Sequence, residues 1–269
     1  MTADSLSGVV GSFFLCYTQH MLKGRNLIQP SDLTVGEIDE ICALAEQIIV
    51  DSSSFQDVCR GKILATLFFE PSTRTRLSFE AAMLHLGGAV EGFSDAANSS
   101  TTKGESLADT IRTVSSYVDV IAMRNPKEGA ALLASRYSAC PVINAGDGTN
   151  QHPSQTLLDL VTIFETQGRL DNLKIAMAGD LKYGRTVHSL LGALAAYEGV
   201  RVVLISPDEL KIPAYVRAEV LDAHRMDYEE TADLETAVPR LDVLYMTRIQ
   251  RERFPDAASF ERVKDSYVL

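Results

Sequence analysis

Three absences narrow the function of this chain before any motif is considered. The longest N-terminal apolar stretch, Gly8 to Tyr17, is about half of the ~20 residues that a bilayer-spanning helix needs. No basic segment precedes it, so neither a membrane contact nor a signal peptide is expected. Cysteine is sparse: Cys16, Cys42, Cys59 and Cys140 stand far apart with no C-x-x-C spacing. That favours reduced thiols in a cytoplasmic protein over a disulfide frame or a zinc site. Positive charge is also short, with 25 Lys and Arg against 36 Asp and Glu and a net charge of −11. A nucleic-acid surface normally carries a basic excess, so no nucleic-acid partner is expected. There is no P-loop, no G-x-G-x-x-G, no metal-ligand cluster and no Ser or Cys nucleophile motif, so neither a cofactor nor a metal is expected.

What is present is the composition of a soluble globular protein, 46% hydrophobic and 23% charged over 269 residues, a length that suits two medium domains. Apolar runs of strand length alternate with helical periods. In the first half the strands fall at 63–69, 89–93, 120–123 and 141–145. The helices between them follow Ser72 and span 106–118 and 127–137, and a further helix opens at His152-Pro153. Ahead of them Thr34-Val35-Gly36-Glu37 reads as a capping box for a helix that buries Ile38, Ile41, Cys42, Ala45, Ile48 and Ile49. In the second half the strands fall at 173–178, 200–206 and 241–246, with helices at 185–197, 214–224 and 252–264. This alternation predicts an α/β protein of two domains, each a parallel sheet with helices on both faces. The expected division is 1–150 and 151–269, with the His152 helix bridging them.

One stretch stands apart. Ile63 to Phe69 is continuously apolar, Glu70-Pro71 ends it, and Ser72 occupies an N-cap position before a helix on which Leu77, Ala81, Met83 and Leu84 supply the apolar side. Ser72-Thr73-Arg74-Thr75-Arg76 therefore lies at the carboxyl end of a strand and on the first turn of a helix. There, unpaired N–H groups and the helix dipole favour a phosphate or another dianion. An N-capped surface helix carrying two arginines gives the same local pattern. Arg124, His152, Arg185 and Arg248 likewise follow strands or open helices, at the edge of α/β sheets where ligands bind. Several arginines with one histidine suit a substrate that carries phosphate and carboxylates. The polar run 98–105 reads as a loop of the kind that closes over such a site.

Phe69-Glu70-Pro71-Ser72-Thr73-Arg74-Thr75-Arg76-Leu77-Ser78-Phe79-Glu80 closely resembles the carbamoyl phosphate signature of the aspartate and ornithine carbamoyltransferases, and the resemblance extends from about Gly24 to Leu269. It implies that Ser72, Thr73, Arg74 and Thr75 hold the phosphate. It further implies that Arg74, Arg124 and His152 donate to the carbonyl oxygen, and that Gln155, in His152-Pro153-Ser154-Gln155, holds the carbamoyl NH2. The stretches from Gly179 to Leu190 and from Tyr245 to Arg253 resemble the aspartate branch, which implies aspartate binding by Arg185, Arg248 and Gln250. The loop carrying Lys103 matches a lid that a neighbouring subunit contributes, with Ser100 or Ser99 as the lid serine.

The resemblance thus implies transfer of a carbamoyl group from carbamoyl phosphate to L-aspartate in de novo pyrimidine biosynthesis, by a cytoplasmic homotrimer with shared sites, and it leaves room for regulatory chains. One departure stands against it. The family continues into a His-Pro-Leu-Pro-Arg loop and a C-terminal helix, whereas this sequence ends at Asp265-Ser266-Tyr267-Val268-Leu269 within an expected strand. Two alternatives follow: a non-catalytic or impaired module that binds anions, or another carbamoyltransferase such as the ornithine enzyme.

Overall fold

The computed structural model describes residues 22–95, 104–148, 150–249, 254, 260, 261, 263 and 266. The chain divides into two units, 1–165 and 166–269. The division falls near the far end of the helix that opens at Pro153, whereas the sequence suggested its start. That helix, α5 (Pro153–Gln167), runs unbroken, and most of its length is grouped with the first unit.

The first unit is a parallel sheet of β1 (Ile63–Phe68), β2 (Ala89–Phe93), β3 (Val120–Asn125) and β4 (Val142–Asp147) in the order β2-β1-β3-β4. Successive side chains of a strand point to opposite faces, and here both faces are covered. Ala65, Leu67, Ile121 and Met123 pack with Ile111 of α3 (Leu107–Val114) and with Ala130, Ala131 and Ala134 of α4 (Ala130–Tyr137). On the other face the Thr66 hydroxyl donates to Glu80 of α2 (Thr73–His85) at 2.9 Å. The outer edge of β4 is closed by Leu27, whose backbone exchanges hydrogen bonds with Val142 and Asn144.

Helix α1 (Val35–Val50) starts with the expected capping box, the Thr34 hydroxyl and the Glu37 carboxylate each receiving the other's backbone N–H. It buries Ile38, Ile41, Cys42, Ala45 and Ile48, while Ile49 is half-buried. Burial pushes the Cys42 thiol up to about 12 and the Cys59 thiol up to about 11, so both stay protonated at neutral pH. Helix α2 keeps only part of the expected face, with Met83 buried and Ala81 half-buried. Leu77 and Leu84 are exposed, and Phe79, Ala82 and Met83 are buried together with Leu86 beyond the helix end. Residues 79, 82, 83 and 86 form the wider i, i+3, i+4, i+7 stripe, and the wider stripe takes the sheet.

The second unit is a parallel sheet of β5 (Lys174–Ala178), β6 (Arg201–Ile205), β7 (Asp227–Thr231) and β8 (Val243–Met246) in the order β7-β6-β5-β8. Ala176, Ala178, Val203 and Ile205 pack with Leu234 and Ala237 on one face. Ile175, Met177, Val202 and Leu204 are buried on the other. Strand β7 was not expected, because Asp-Tyr-Glu-Glu-Thr has no apolar alternation. It lies at the sheet edge, where one backbone ladder to β6 suffices. Its carboxylates meet arginines, in the pairs Asp227–Arg201, Glu229–Arg240 and Glu230–Arg217 at 2.9 to 3.1 Å. A charged edge also discourages pairing with other chains.

Four expected helices are shorter than their periodicity. Those at 106–118 and 185–197 end at Val114 and Leu194, the one at 127–137 begins at Ala130, and the one at 214–224 widens after Val216 into a π-type turn over Arg217–Asp222. Of the helix expected at 252–264, Phe260, Glu261 and Val263 are helical and most of the remainder lies outside the described residues, as does most of the strand expected at the end. Among the described residues no helix is long and apolar enough to cross a membrane.

Gly92 tests the first sheet. Its φ is +146° and a Cβ there would lie 2.1 Å from the Thr66 carbonyl oxygen. Gly92→Ala is expected to destabilise the protein by at least ~1–3 kcal/mol. Gly36→Ala, with nothing within 4 Å, is expected to be neutral or stabilising by ~0.4–1 kcal/mol. Urea unfolding midpoints compare the two; equal midpoints would refute the account of β2.

Candidate active site

Parallel strands end on one edge, and a ligand crevice opens there where the strand order reverses. In the first unit β2 lies on one side of β1 and β3 on the other. In the second, β6 and β7 extend from one side of β5, and β8 occupies the other. Ser72–Thr75 follow β1 and Arg124 lies in β3, while Arg185 follows β5 and Arg248 follows β8. Ser72–Thr75, Arg124, Arg185 and Arg248 therefore stand at one of two switch points or beside it, whereas His152 and Gln155 follow β4 at the edge of the first sheet.

At the first switch point the backbone ladder runs on past β1, with the Phe69 N–H donating to the Arg124 carbonyl at 2.8 Å. Ser72 occupies the N-cap of α2, yet its side chain does not close back onto the helix. By contrast Thr34 caps α1, and Ser106 caps α3 by accepting the Asp109 N–H. No side chain caps the first-turn N–H groups of α2, as is also the case at Gly129 and Gly184. Such a helix start can take an anion, and the exposed Arg74 stands on the same turn. Arg124 is half-buried and donates from Nε to Glu70 at 2.6 Å.

Gly146, near the end of β4, has φ +119°. A Cβ there would lie 3.6 Å from His152 Nε2 and 3.7 Å from Arg124 Cζ. The imidazole and the guanidinium therefore flank one point, which only glycine leaves open. His152 is buried, and its Nδ1 accepts the Gln155 N–H at 3.3 Å, so the neutral ring carries its proton on Nε2 and can donate there. The Gln155 amide nitrogen donates to Asp159 at 2.9 Å, which leaves its oxygen as the accepting end. Donors from Arg124 and His152 with an acceptor from Gln155 match the two ends of a carbamoyl group, C=O and NH2.

Asp147 holds this arrangement. It is 1% exposed and accepts from the Gly129 N–H at 2.9 Å, Asn144 Nδ2 at 3.0 Å, the Gln151 N–H at 3.0 Å and Asn150 Nδ2 at 3.1 Å. Asn144 lies in β4 itself, while Gly129 comes from the turn after Arg124 and Asn150 and Gln151 from the turn before His152, so one carboxylate ties both turns to the strand. Sequence reasoning assigned no role to Asp147, Glu70, Gly146 or Asp159. The signal for the first was a Gly-Asp-Gly at a strand end.

In the second unit Arg185 opens α6 (Arg185–Leu194), half-buried, its N–H bonded to the Tyr183 carbonyl at 3.0 Å. His188 on the same helix bonds through Nε2 to the Leu181 carbonyl at 2.7 Å. Burial holds its imidazole below the ordinary range, so the neutral ring donates and pins the turn before Arg185. Arg248 is exposed beyond β8. Ser99, Ser100, Lys103 and Gln250 lie outside the described residues.

Two family models match: "Aspartate/ornithine carbamoyltransferase, carbamoyl-P binding domain" over residues 25–165 and "Aspartate/ornithine carbamoyltransferase, Asp/Orn binding domain" over residues 171–268. The chain belongs to the aspartate/ornithine carbamoyltransferase family. It is 61% identical over 245 residues to the aspartate carbamoyltransferase catalytic subunit of Lachnoclostridium phytofermentans, a match covering 91% of this chain and 80% of that one. The Clostridium perfringens catalytic subunit is 59% identical, with 93% and 81% covered. Among solved structures, the catalytic subunit of M. jannaschii aspartate transcarbamoylase superposes with a TM-score of 0.84 at 52% identity, covering 90% of this chain and 79% of that one. The Trypanosoma cruzi enzyme in complex with carbamoyl phosphate superposes with 0.81 at 40% identity, covering 91% and 79%. Both family models thus fall on sheets whose carboxyl ends carry the described candidate residues.

Asp147→Asn puts an amide among groups that all donate. It is expected to lower stability by at least ~2 kcal/mol, read by urea unfolding. An unchanged midpoint would show that the network does not hold the two turns.

Proposed function

We propose that this carbamoyltransferase-family chain transfers the carbamoyl group of carbamoyl phosphate to the α-amino group of L-aspartate, giving N-carbamoyl-L-aspartate and phosphate, the step that feeds de novo pyrimidine biosynthesis. The observation that carries the reading is the meeting of Arg124 and His152 at Gly146, on the same sheet edge as the uncapped start of α2. Ser72, Thr73, Arg74 and Thr75 hold the phosphate. Arg74, Arg124 and His152 donate to the carbonyl oxygen, and the Gln155 oxygen accepts from the carbamoyl NH2. Arg185 and Arg248, with Gln250 and Lys103, bind the aspartate carboxylates.

In the reaction the amine nitrogen forms a bond to the carbonyl carbon and the bond from that carbon to the phosphate oxygen breaks. The electron pair leaves with phosphate, and the balance places the amine proton there too. No side chain forms a covalent intermediate. Catalysis consists of orienting two anionic reactants and stabilising the oxyanion that forms. Two guanidiniums in the second unit favour aspartate over ornithine, whose ammonium side chain they would repel. The names of the relatives agree with that choice.

Arg74→Ala is expected to lower kcat by about 10²–10³-fold, or about 2.7–4 kcal/mol, with an unchanged unfolding midpoint. Turnover within a few-fold of the parent would sink the assignment. Carbamoyl phosphate binding by the parent with no turnover of aspartate would instead favour an anion-binding module.

The assembly in this proposal is a cytoplasmic homotrimer in which Lys103, and Ser100 of the same loop, serve a neighbour's site. Mixing inactive Lys103→Ala with inactive Arg74→Ala under subunit exchange is expected to restore part of the activity, because some hybrid sites then carry neither lesion. A mixture that stays inactive despite proven exchange refutes shared sites.

A further inference from the structure

We infer that Thr247, to which the reading above gives no role, is the positioning residue that holds the two carboxylate-binding arginines of the second unit at one spacing. The inference rests on Arg185 and Arg248 being aspartate ligands. Strands β5 and β8 pair through Ala178 and Met246, and beyond that point one chain turns toward α6 and the other enters a loop. Thr247 bridges the divergence. Its N–H donates to the Ala178 carbonyl at 2.8 Å, and its hydroxyl donates to the same oxygen at 3.1 Å. The hydroxyl also accepts the Asp180 N–H at 2.8 Å. One side chain thus acts as donor and acceptor at once, which a hydroxyl can do and an isosteric methyl cannot.

Gly179 makes the approach possible. Its φ is +107°, and a Cβ there would lie 2.4 Å from the Thr247 carbonyl oxygen and 2.7 Å from its hydroxyl. From Asp180 the connection continues. This 2% exposed residue accepts the Tyr183 N–H at 2.9 Å, and the Tyr183 carbonyl accepts the Arg185 N–H at 3.0 Å. A continuous series of hydrogen bonds therefore runs from the residue preceding Arg248 to the backbone of Arg185. At the first switch point the backbone alone makes the corresponding connection, Phe69 to Arg124. At the second, the Thr247 hydroxyl reinforces the backbone bond.

The test is steady-state kinetics on the full chain, varying aspartate and carbamoyl phosphate in turn, with unfolding midpoints for each variant. Thr247→Val is expected to raise the aspartate KM about tenfold with kcat and the carbamoyl phosphate KM little changed. Thr247→Ser, which keeps the hydroxyl, is expected to return to within about twofold of the parent. Arg248→Ala is measured beside them, and Thr247→Val in that background is expected to add little, since the spacing then serves one arginine. If Arg248→Ala raises the aspartate KM and Thr247→Val does not, the positioning role is overturned and the site reading stands. If neither variant moves it, the site reading falls and the inference with it. Equal loss for both substrates, or full additivity in the double variant, means a merely structural hydroxyl and overturns the inference. Should Thr247→Val fail to fold, Thr247→Ala makes the same comparison without added bulk.

Discussion

The reversal of strand order beside β1, and again beside β5, is the constraint from which the rest follows. Neighbouring parallel strands whose connections leave in opposite directions cannot cover the space between their ends, so a crevice opens without any side chain having to create it. The dense packing of both sheets, with Leu64, Leu67, Ile121, Ile175 and Met177 at 0–1% exposure, keeps the strand ends rigid. A rigid edge allows a helix start, a guanidinium and an imidazole to be presented from three different connections.

The two edges are held by different chemistry. In the first unit a nearly inaccessible carboxylate, Asp147, gathers four donors. A carboxylate in that position is costly to desolvate and is tolerated because its oxygens are satisfied. In the second unit a neutral hydroxyl spans the diverging strands. The acidic balance of the chain bears on both. Many surface arginines are occupied by carboxylates, among them Arg25, Arg112, Arg169, Arg201, Arg217 and Arg240. Among the described residues Arg74 and Arg248 are in no such pair. Arg136 and Arg225 are likewise in no such pair, whereas Arg76 and Arg124 at the first edge are paired with Glu80 and Glu70. The arginines of the two edges thus act within a chain that is negative as a whole.

Much of the architecture was legible from periodicity. Continuous apolar runs marked β1, β3 and β4 because strands buried on both faces have no polar side, and Thr34 with Glu37 marked α1 because a capping box is a local event. Strand β7 was illegible for the opposite reason: an edge strand gains its stability from one ladder and from arginines distant in sequence, and neither leaves an apolar alternation behind. The exposed Leu77 and Leu84 show the same limit in a helix. Two stripes were present, and the sheet chose the wider.

The sequence alone determined where the candidate residues stand, because a Ser-Thr-Arg-Thr turn after an apolar strand and a His-Pro opening a helix are local patterns with local causes. It also determined that two sheets form, since runs of strand and helix alternate without interruption. Tertiary structure alone decided what supports those residues. Gly146 beside Arg124, Asp147 on Gly129, and Gly179 against Thr247 act through partners distant in the chain, brought close only when parallel strands come into register. Hydrogen bonds of that kind depend on distance in space, and the linear order of residues does not contain it.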